Sequence, residues 1–329
     1  MPALRSRRRD AWRSLALTIG IAASVFSAAA CGSTSSAATP RLYSYAGNPL
    51  YAGLGSDPAA AAELKEITGT PSGIWITGQP GDMAMVRQVT LAAASMHAVP
   101  VIVAYNLPGR DACGQLSAAF ALTASGYQDW VNQLAAAIGT GDDIVIVEPD
   151  GLPDIVRGCL SPAQSAERYQ LLRYAMKQLG ALPHARVYLD AGNPGMFSDP
   201  APLAGPLQAA GLRYGRGFSA NVSNFQWTAD VVTWSQQLEH ALGGHVGAVI
   251  DTSRNGRGPY TGPDAPQWCN PPGRALGPAP GFAPGPAGID AYLWIKDPGA
   301  SDGSCRGSPP PGQFWPQYAA ALEQQSQHS

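Results

Sequence analysis

At its centre the chain reads Ile144-Val145-Ile146-Val147-Glu148-Pro149-Asp150, in which four β-branched apolar residues lead into two carboxylates separated by a proline. A continuous apolar run of this length predicts a strand that is buried on both faces, as in a parallel sheet. Because Pro149 cannot donate to a sheet ladder, we expect the strand to end there. Asp150 then lies at the carboxyl end of a central strand, where α/β folds place catalytic groups.

A carboxyl group that emerges from such an apolar floor is partly desolvated, which raises its pKa. A raised pKa is what a general acid needs near neutral pH, so Asp150 is a candidate acid. The alternative is that Glu148 and Asp150 only cap the following helix or lie in a solvated turn. These residues by themselves leave both interpretations open.

Strands and helices alternate along the rest of the chain without a linker between them. This alternation predicts an α/β fold, a single distorted parallel (β/α) barrel of about seven strands, TIM-like, over residues 45–329. A long Pro/Gly-rich loop at 256–288 is of a length that domains usually keep only for function. Besides 144–150, strands are predicted at 73–77, 100–106, 186–190, 217–225, 247–251 and 292–296.

Residues 1–30 have the pattern of a signal peptide, with a basic start, a short apolar run and small residues before the predicted cleavage point. Cys31 follows directly, as in bacterial lipoprotein signals, although an ordinary cleavage site fits nearly as well. Residues 31–44 form a tether rich in Ser, Ala and Thr. We therefore expect a protein that is secreted, or anchored to the outer face of a bacterial membrane through a lipid on Cys31.

Cysteine content and charge agree with export. The chain has five cysteines, and removing Cys31 leaves an even number, which suits two disulfides in an oxidising compartment. No CxxC pair is present, which argues against a zinc ribbon or a thioredoxin-type site. The formal net charge of −2 argues against nucleic acid as a partner.

Carboxylates follow the predicted strands repeatedly, and this pattern fits either a divalent-metal site or glycoside hydrolysis. The five histidines are neither paired in sequence nor placed at strand ends, so glycoside hydrolysis is favoured over a metal site and no metal is expected. The chain lacks a GxSxG elbow, a P-loop and a GxGxxG segment, and no cofactor is predicted. The carboxylates concerned are Asp111, Asp150, Asp190, Asp251 and Asp302.

Aromatic residues accompany these carboxylates, and aromatic faces are suited to holding sugar rings. Trp294, inside a predicted strand, is better explained as a core residue, whereas Trp268 in the long loop is better explained as a sugar contact. The other aromatic residues that accompany the carboxylates are Trp75, Tyr105 and Trp227.

A series of motifs in this order resembles glycoside hydrolase family 6, whose members are cellulases that cut β-1,4-glucan with inversion. The resemblance extends over roughly residues 45–325. It is carried by Tyr105-Asn106-Leu107-Pro108-Gly109-Arg110-Asp111, Val147-Glu148-Pro149-Asp150, Tyr188-Leu189-Asp190-Ala191-Gly192, Asn221-Val222-Ser223-Asn224-Phe225, Asp251-Thr252-Ser253-Arg254-Asn255-Gly256, Trp268-Cys269-Asn270 and Trp294-Ile295-Lys296 up to Asp302-Gly303.

The resemblance implies roles for individual residues. Asp150 resembles the general acid, and Asp111 the aspartate that keeps this acid protonated and helps to relay a proton from the water. Asp302 resembles a candidate base, and Tyr105 the tyrosine beside the distorted sugar. Substrate-binding candidates are Trp75, Ser117, Asp190, Asn221, Trp268 and Lys296, and the family's two disulfides match Cys113–Cys159 and Cys269–Cys305.

The sequence departs from the family pattern at three positions that normally touch sugar. Asn193 stands in place of the usual His, Met196 in place of Trp and Ala300 in place of Glu. We expect a monomeric endo-β-1,4-glucanase with an open cleft, because Asp302 lies too close before Cys305 for a tunnel-roofing loop. Two alternatives remain: a hydrolase of a modified or mixed-linkage glucan, or a cell-surface glucan-binding protein that has lost turnover.

Overall fold

The computed structural model describes residues 40–56, 64–117, 122–264 and 266–326. The predicted signal segment, Cys31 and the part of the tether before residue 40 lie outside these residues. Strands are β1 (Arg41–Leu42), β2 (Ile74–Ile76), β3 (Ala98–Val99), β4 (Val101–Ala104), β5 (Ile144–Val147), β6 (Arg186–Asp190), β7 (Gly217–Ala220), β8 (Gly247–Asp251), β9 (Gly281–Phe282) and β10 (Ile289–Leu293).

Helices lie between these strands on the outside of the sheet. The α-helices are α1 (Lys65–Gly69), α2 (Asp82–Ser95), α3 (Ala124–Ile138), α4 (Gly151–Val156), α5 (Pro162–Leu179), α6 (Ala204–Ala209), α7 (Thr228–Ala241) and α8 (Pro316–Ser326), and short 3-10 helices lie at Pro49–Ser56, Ala201–Leu203 and Leu212–Tyr214. In the part of the chain that is described, none of these helices has the length and apolar character needed to span a bilayer.

The main sheet has eight strands in the order β2-β4-β5-β6-β7-β8-β10-β9, and its first seven pair in parallel. The sheet curls so far that Gly73, just before β2, donates its N–H to the carbonyl of Trp294, just after β10, at 2.7 Å. A Cβ on Gly73 would lie 2.2 Å from the carbonyl oxygen of Ile295, so only glycine fits this approach. The predicted distorted parallel barrel of about seven strands is confirmed.

Strand β5 is buried on both faces, as its continuous apolar run predicts. Val145 and Val147 pack under the helices, whereas Ile144 and Ile146 point into the smaller apolar cluster inside the curled sheet. All four side chains are at most 1% exposed. Burial of this many branched side chains fixes β5 at the centre of the sheet, because leaving each one in water would cost about 1.5–3 kcal/mol.

The helices follow their local sequence signals. Ser161 caps α5 in a capping box with Gln164, as the sequence Ser-Pro-Ala-Gln predicts. Along α3, Tyr127, Trp130, Val131, Leu134 and Ile138 recur at helical spacing, and all five are buried. Both disulfides implied by the family resemblance, Cys113–Cys159 and Cys269–Cys305, are confirmed.

Three short features differ from the prediction. The long loop at 256–288 contains β9, which pairs antiparallel with β10, and β1 pairs with β3 in a separate two-stranded sheet. Strands of two residues carry no readable alternation, so sequence patterning misses them. The strand predicted at 217–225 ends at Ala220, because Asn221 has a φ of 65° and leaves the extended conformation.

Asp143, just before β5, gives a test of how burial affects stability. Its side chain is buried, one oxygen accepts from Thr90 at 2.9 Å, and the other has no partner among the described residues. Burial raises its pKa to about 6. A raised folded-state pKa means that stability is lost as the pH rises from about 4 through about 6.

We therefore expect Asp143→Asn to raise the melting temperature at about pH 8 by a few degrees and to have little effect at about pH 4. Calorimetry at the two pH values measures this difference. The control is Asp142→Asn, because Asp142 is exposed and pairs with Arg186 at the surface. An equal change in melting temperature of Asp143→Asn at both pH values would contradict a raised pKa for Asp143.

Candidate active site

The end of β5 places Asp150 by an unusual backbone path. Glu148 and Asp150, on either side of Pro149, have φ values of 49° and 65°, in the left-handed region that non-glycine residues rarely adopt. Each such residue costs about 1–3 kcal/mol and persists only where its surroundings hold it. The reversal turns Glu148 inward, where it is fully buried, and leaves Asp150 at the start of α4 facing the cavity.

The surroundings of Asp150 favour its protonated form. Burial raises its pKa well above the ordinary value, and the neighbouring carboxylates Asp190, Asp154 and Asp111 raise it further, whereas Arg157 opposes them. Its side chain makes no hydrogen bond to another described residue, and its backbone N–H donates to Asp190 at 2.9 Å. These surroundings shift Asp150 towards its protonated form, and no hydrogen bond to another described residue engages its side chain.

A chain of hydrogen bonds runs beside Asp150. The hydroxyl of Ser117 donates to Asp111 Oδ2 at 3.0 Å and lies 2.9 Å from the hydroxyl of Tyr105. The same carboxylate oxygen accepts the N–H groups of Leu116 and Ser117 at 2.7 and 2.6 Å. Tyr105 packs edge-on against Trp75 at 5.1 Å between centroids, and the guanidinium of Arg110 lies 4.5 Å from the centroid of the Tyr105 ring. Ser117 thus joins Tyr105 to Asp111.

Asp302 lies in a different electrostatic environment. Arg254 binds both of its oxygens at 2.9 Å, and Lys296 Nζ lies 3.4 Å from one of them. Although burial alone would raise the pKa of Asp302, these two cations hold it below its usual range. Asp302 is therefore an ionised carboxylate that binds a proton only weakly.

Two predicted sugar contacts lie below the cavity instead of in it. Asp190 is 1% exposed and accepts from the Asp150 N–H and from Ser219. Burial raises the pKa of Asp190 to about 7. Asn221 is fully buried, and its amide donates to the carbonyl of Asp251 at 2.9 Å. Both residues support the backbone that carries the site, and neither lines the cavity.

The carboxylates face a cavity of about 960 Å³. Two tryptophans line it, Trp75 from β2 and the partly exposed Trp268 from the long loop. Trp227, by contrast, does not line it, and Trp294 is buried in the core, as expected. Other predicted site residues at its surface are Tyr105, Asp111, Ser117, Asp150, Lys296 and Asp302, and the three departures Asn193, Met196 and Ala300 also line it.

Potential metal ligands come together at one place in the described residues, where Cys113, Cys159 and Asp154 lie within 4.8 Å of one another. The two sulfurs are joined in a disulfide, and the carboxylate already accepts from Ala112 and pairs with Arg168. These groups are therefore not arranged as metal ligands.

The model for Glycosyl hydrolases family 6 matches residues 40–326. The chain belongs to this family. Endoglucanase 1 of Streptomyces sp. strain KSM-9 is 40% identical over 81% of this chain and 72% of its own length. Endoglucanase A of Cellulomonas fimi is 40% identical over 79% of this chain and 56% of its own length.

Solved structures of family 6 enzymes have the same fold. An endoglucanase from Mycobacterium tuberculosis, in complex with a methyl-cellobiosyl-thio-cellobioside, superposes with a TM-score of 0.80 and 38% identity over 88% of this chain and 98% of its own. A family 6 enzyme from Orpinomyces sp. Y102 superposes with a TM-score of 0.73 and 29% identity, over 86% and 95% of the two chains.

Two residues of this family 6 site were not predicted individually from the sequence. Arg254 is fully buried under the cavity, although the sequence shows it only as one letter in the motif that follows β8. Asp154 lines the cavity near Asp150 from the short apolar helix α4. A charged residue inside an otherwise apolar segment is the sequence feature that points to Asp154, whereas Arg254 lies in a polar run that gives no such signal.

Proposed function

We propose that this family 6 protein is an endo-acting, inverting glycoside hydrolase that cleaves β-1,4-glucosidic bonds in cellulose or related glucans. The observation that supports this most directly is Asp150, a carboxyl group with a raised pKa that faces a cavity lined by tryptophans. In this proposal Asp150 donates its proton to the glycosidic oxygen while water attacks the anomeric carbon from the opposite face. The bond between the anomeric carbon and that oxygen breaks in the same step.

The attacking water must lose a proton, and two carboxylates are candidates to receive it. Asp302 is the weaker one, because Arg254 and Lys296 stabilise its ionised form. Asp111 is favoured because its Oδ1 accepts no hydrogen bond from the described residues, and because Ser117 connects it towards Tyr105. We assign Asp111 the second role of keeping Asp150 protonated, since the two carboxylates repel each other's charge.

A modified or mixed-linkage glucan is the second candidate substrate. Asn193 uses its side-chain oxygen to accept the N–H groups of Gly195 and Met196, at 2.9 and 3.2 Å. Ala300 lines the cavity without a polar side chain. At these two positions the cavity therefore offers few groups for the hydroxyls of an unmodified glucose unit, and the small side chain of Ala300 leaves room for a substituent.

Export and the domain limits are part of the same proposal. We place a signal peptide at 1–30, a tether at 31–44 and the catalytic domain at 45–329, with lipid attachment at Cys31 as one option. Disulfides persist in oxidising compartments, so Cys113–Cys159 and Cys269–Cys305 support a location outside the cytoplasm.

The activity is tested with carboxymethyl cellulose and barley β-glucan, measuring viscosity loss and reducing-sugar release together. We expect viscosity to fall early relative to sugar release, as internal cutting requires, and the first product to be the α-anomer when followed by NMR. A faster rate on barley β-glucan supports the second substrate. Binding to both glucans without any sugar release supports instead a glucan-binding protein without turnover.

Trp268 is expected to contribute binding of the sugar rather than chemistry. Its side chain is 38% exposed and lies at the cavity surface, where a sugar face can cover it. We expect Trp268→Ala to raise KM roughly tenfold with little change in kcat, because the contact exists in both ground and transition state. Trp268→Phe is the matched control and should keep most of the affinity. A large fall in kcat for Trp268→Ala would contradict this role.

A further inference from the structure

Residues 106–112, the segment that carries Asp111, contain no helix or strand. Buried charged side chains hold the backbone of this segment. Glu148 lies beneath it and is 0% exposed. One carboxylate oxygen of Glu148 accepts the N–H groups of Asn106 and Leu107, each at 3.0 Å. The other accepts the hydroxyl of Tyr127 from α3 at 2.9 Å. The beginning of the segment is therefore fixed from the end of β5.

The rest of the segment is fixed by a buried ion pair. Arg168 on α5 is 3% exposed and donates to the carbonyls of Pro108 and Gly109, the first at 3.2 Å. Its guanidinium also pairs with Asp154 at 3.3 Å, and Asp154 accepts the N–H of Ala112 at 2.7 Å. One ion pair thus binds the backbone on both sides of Asp111.

This arrangement matters because Asp111 needs to be held. Its φ of 55° lies in the left-handed region, which costs a non-glycine residue energy unless its surroundings hold it there. Arg168 does not line the cavity, so it has no contact with a sugar bound there. Its connection to the chemistry runs only through the segment and through Asp154.

We propose that Arg168 is a positioning residue, which together with Asp154 holds the backbone on both sides of Asp111 and so keeps that carboxylate beside Asp150. The assignment rests on the proposed function, in which Asp111 and Asp150 act together. It adds a residue on the outer helix α5 to a site otherwise built from strand ends, loops and the short helix α4.

The pH dependence of activity reports on this positioning. The charged groups that face Asp150 are Asp190 from the end of β6, Asp154 and Arg157 on its own helix, and Asp111 from the segment. If Arg168 is removed, Asp111 loosens and its carboxylate is no longer held beside Asp150. The contribution of Asp111 to the raised pKa of Asp150 is then lost, so the pH above which activity is lost should fall.

The experiment compares Arg168→Met, Arg168→Lys and Arg173→Met in the full-length protein. Arg173 is the matched control because it is an exposed arginine on the same helix, bonded to the carbonyl of Ala209. For Arg168→Met we expect kcat to fall about 10²-fold with KM changed less than about twofold, and the alkaline limb of kcat/KM to move to lower pH. Arg168→Lys should recover part of both effects, and Arg173→Met should match the wild type.

Hydrogen exchange over 106–112 separates the failure of this inference from the failure of the proposed function. Faster exchange there in Arg168→Met, with Arg173→Met unchanged, supports the positioning role even if the wild type proves inactive on glucans. A folded Arg168→Met protein with wild-type exchange over the segment overturns the proposal. The proposal is also overturned if the alkaline limb of kcat/KM for Arg168→Met matches that of the wild type, or if its activity falls only in proportion to the loss of folded protein.

Discussion

Asp150→Asn is expected to lower kcat on carboxymethyl cellulose by about 10²–10⁴-fold, the range that general acid catalysis contributes. The amide is similar in size to the carboxylic acid but cannot donate its proton to a leaving oxygen at neutral pH. Because the side chain of Asp150 bonds to no other described residue, we expect the fold to be unaffected. Rates of reducing-sugar release, measured on protein with an unchanged melting temperature, give the effect.

The leaving group provides the sharper test of the role of Asp150. In an aryl β-cellobioside with a strongly acidic phenol, the phenolate leaves without help from an acid. Asp150→Asn should therefore cleave this substrate at a rate much closer to that of the wild type than it does cellulose. Asp142→Asn is the matched control, since Asp142 lies before the opposite end of β5, is exposed and pairs with Arg186. Equal losses on cellulose and on the activated substrate would show that Asp150 does not act as the acid.

Arg254→Met is expected to be the most destabilising single substitution in the site. Its guanidinium is 0% exposed, binds both oxygens of Asp302 and donates to the carbonyl of Ser223 at 2.6 Å. Removing one partner of a buried ion pair leaves a charge without compensation, which costs about 3–5 kcal/mol. Urea denaturation followed by fluorescence measures the change in free energy of unfolding.

Two further variants separate the ion pair from simple loss of packing. Arg254→Met combined with Asp302→Asn removes the unpaired charge, so it should be more stable than Arg254→Met alone, with a coupling of about 0.5–3 kcal/mol. Arg186→Met breaks the exposed pair with Asp142 and should cost no more than about 1 kcal/mol. A cost for Arg254→Met as small as that for Arg186→Met would show that Asp302 is stable without its partner.

Much of the fold can be predicted from local patterns. The apolar run at 144–147 predicts a central buried strand, the sequence at 161–164 predicts a helix start, and both are observed. The location of Asp150 at the end of β5 is also predicted by the sequence, because parallel strands bring their carboxyl ends to one edge of the sheet. Only the family resemblance paired the cysteines, since even four cysteines allow three pairings.

Local sequence patterns do not predict the direction of side chains in the loops. Asp190 and Asp150 both follow strands, yet Asp150 faces the cavity, whereas Asp190 turns below it and accepts the Asp150 N–H. The difference comes from backbone reversals at Glu148 and Asp150, whose φ values no local pattern specifies. The sequence pattern places both residues at strand ends, but only Asp150 lines the cavity.

The sequence by itself determined which segments are strands and helices, which strand is central, and that carboxylates gather at one edge. Those properties depend on the periodicity of apolar residues and on capping, and both act over a few neighbours. Only the tertiary structure decided that Arg254 would hold Asp302 and that Arg168 would hold the segment around Asp111. Partners separated by 48 and 60 residues meet only once the barrel has closed, because burial then forces each charge to find its counter-charge or a carbonyl.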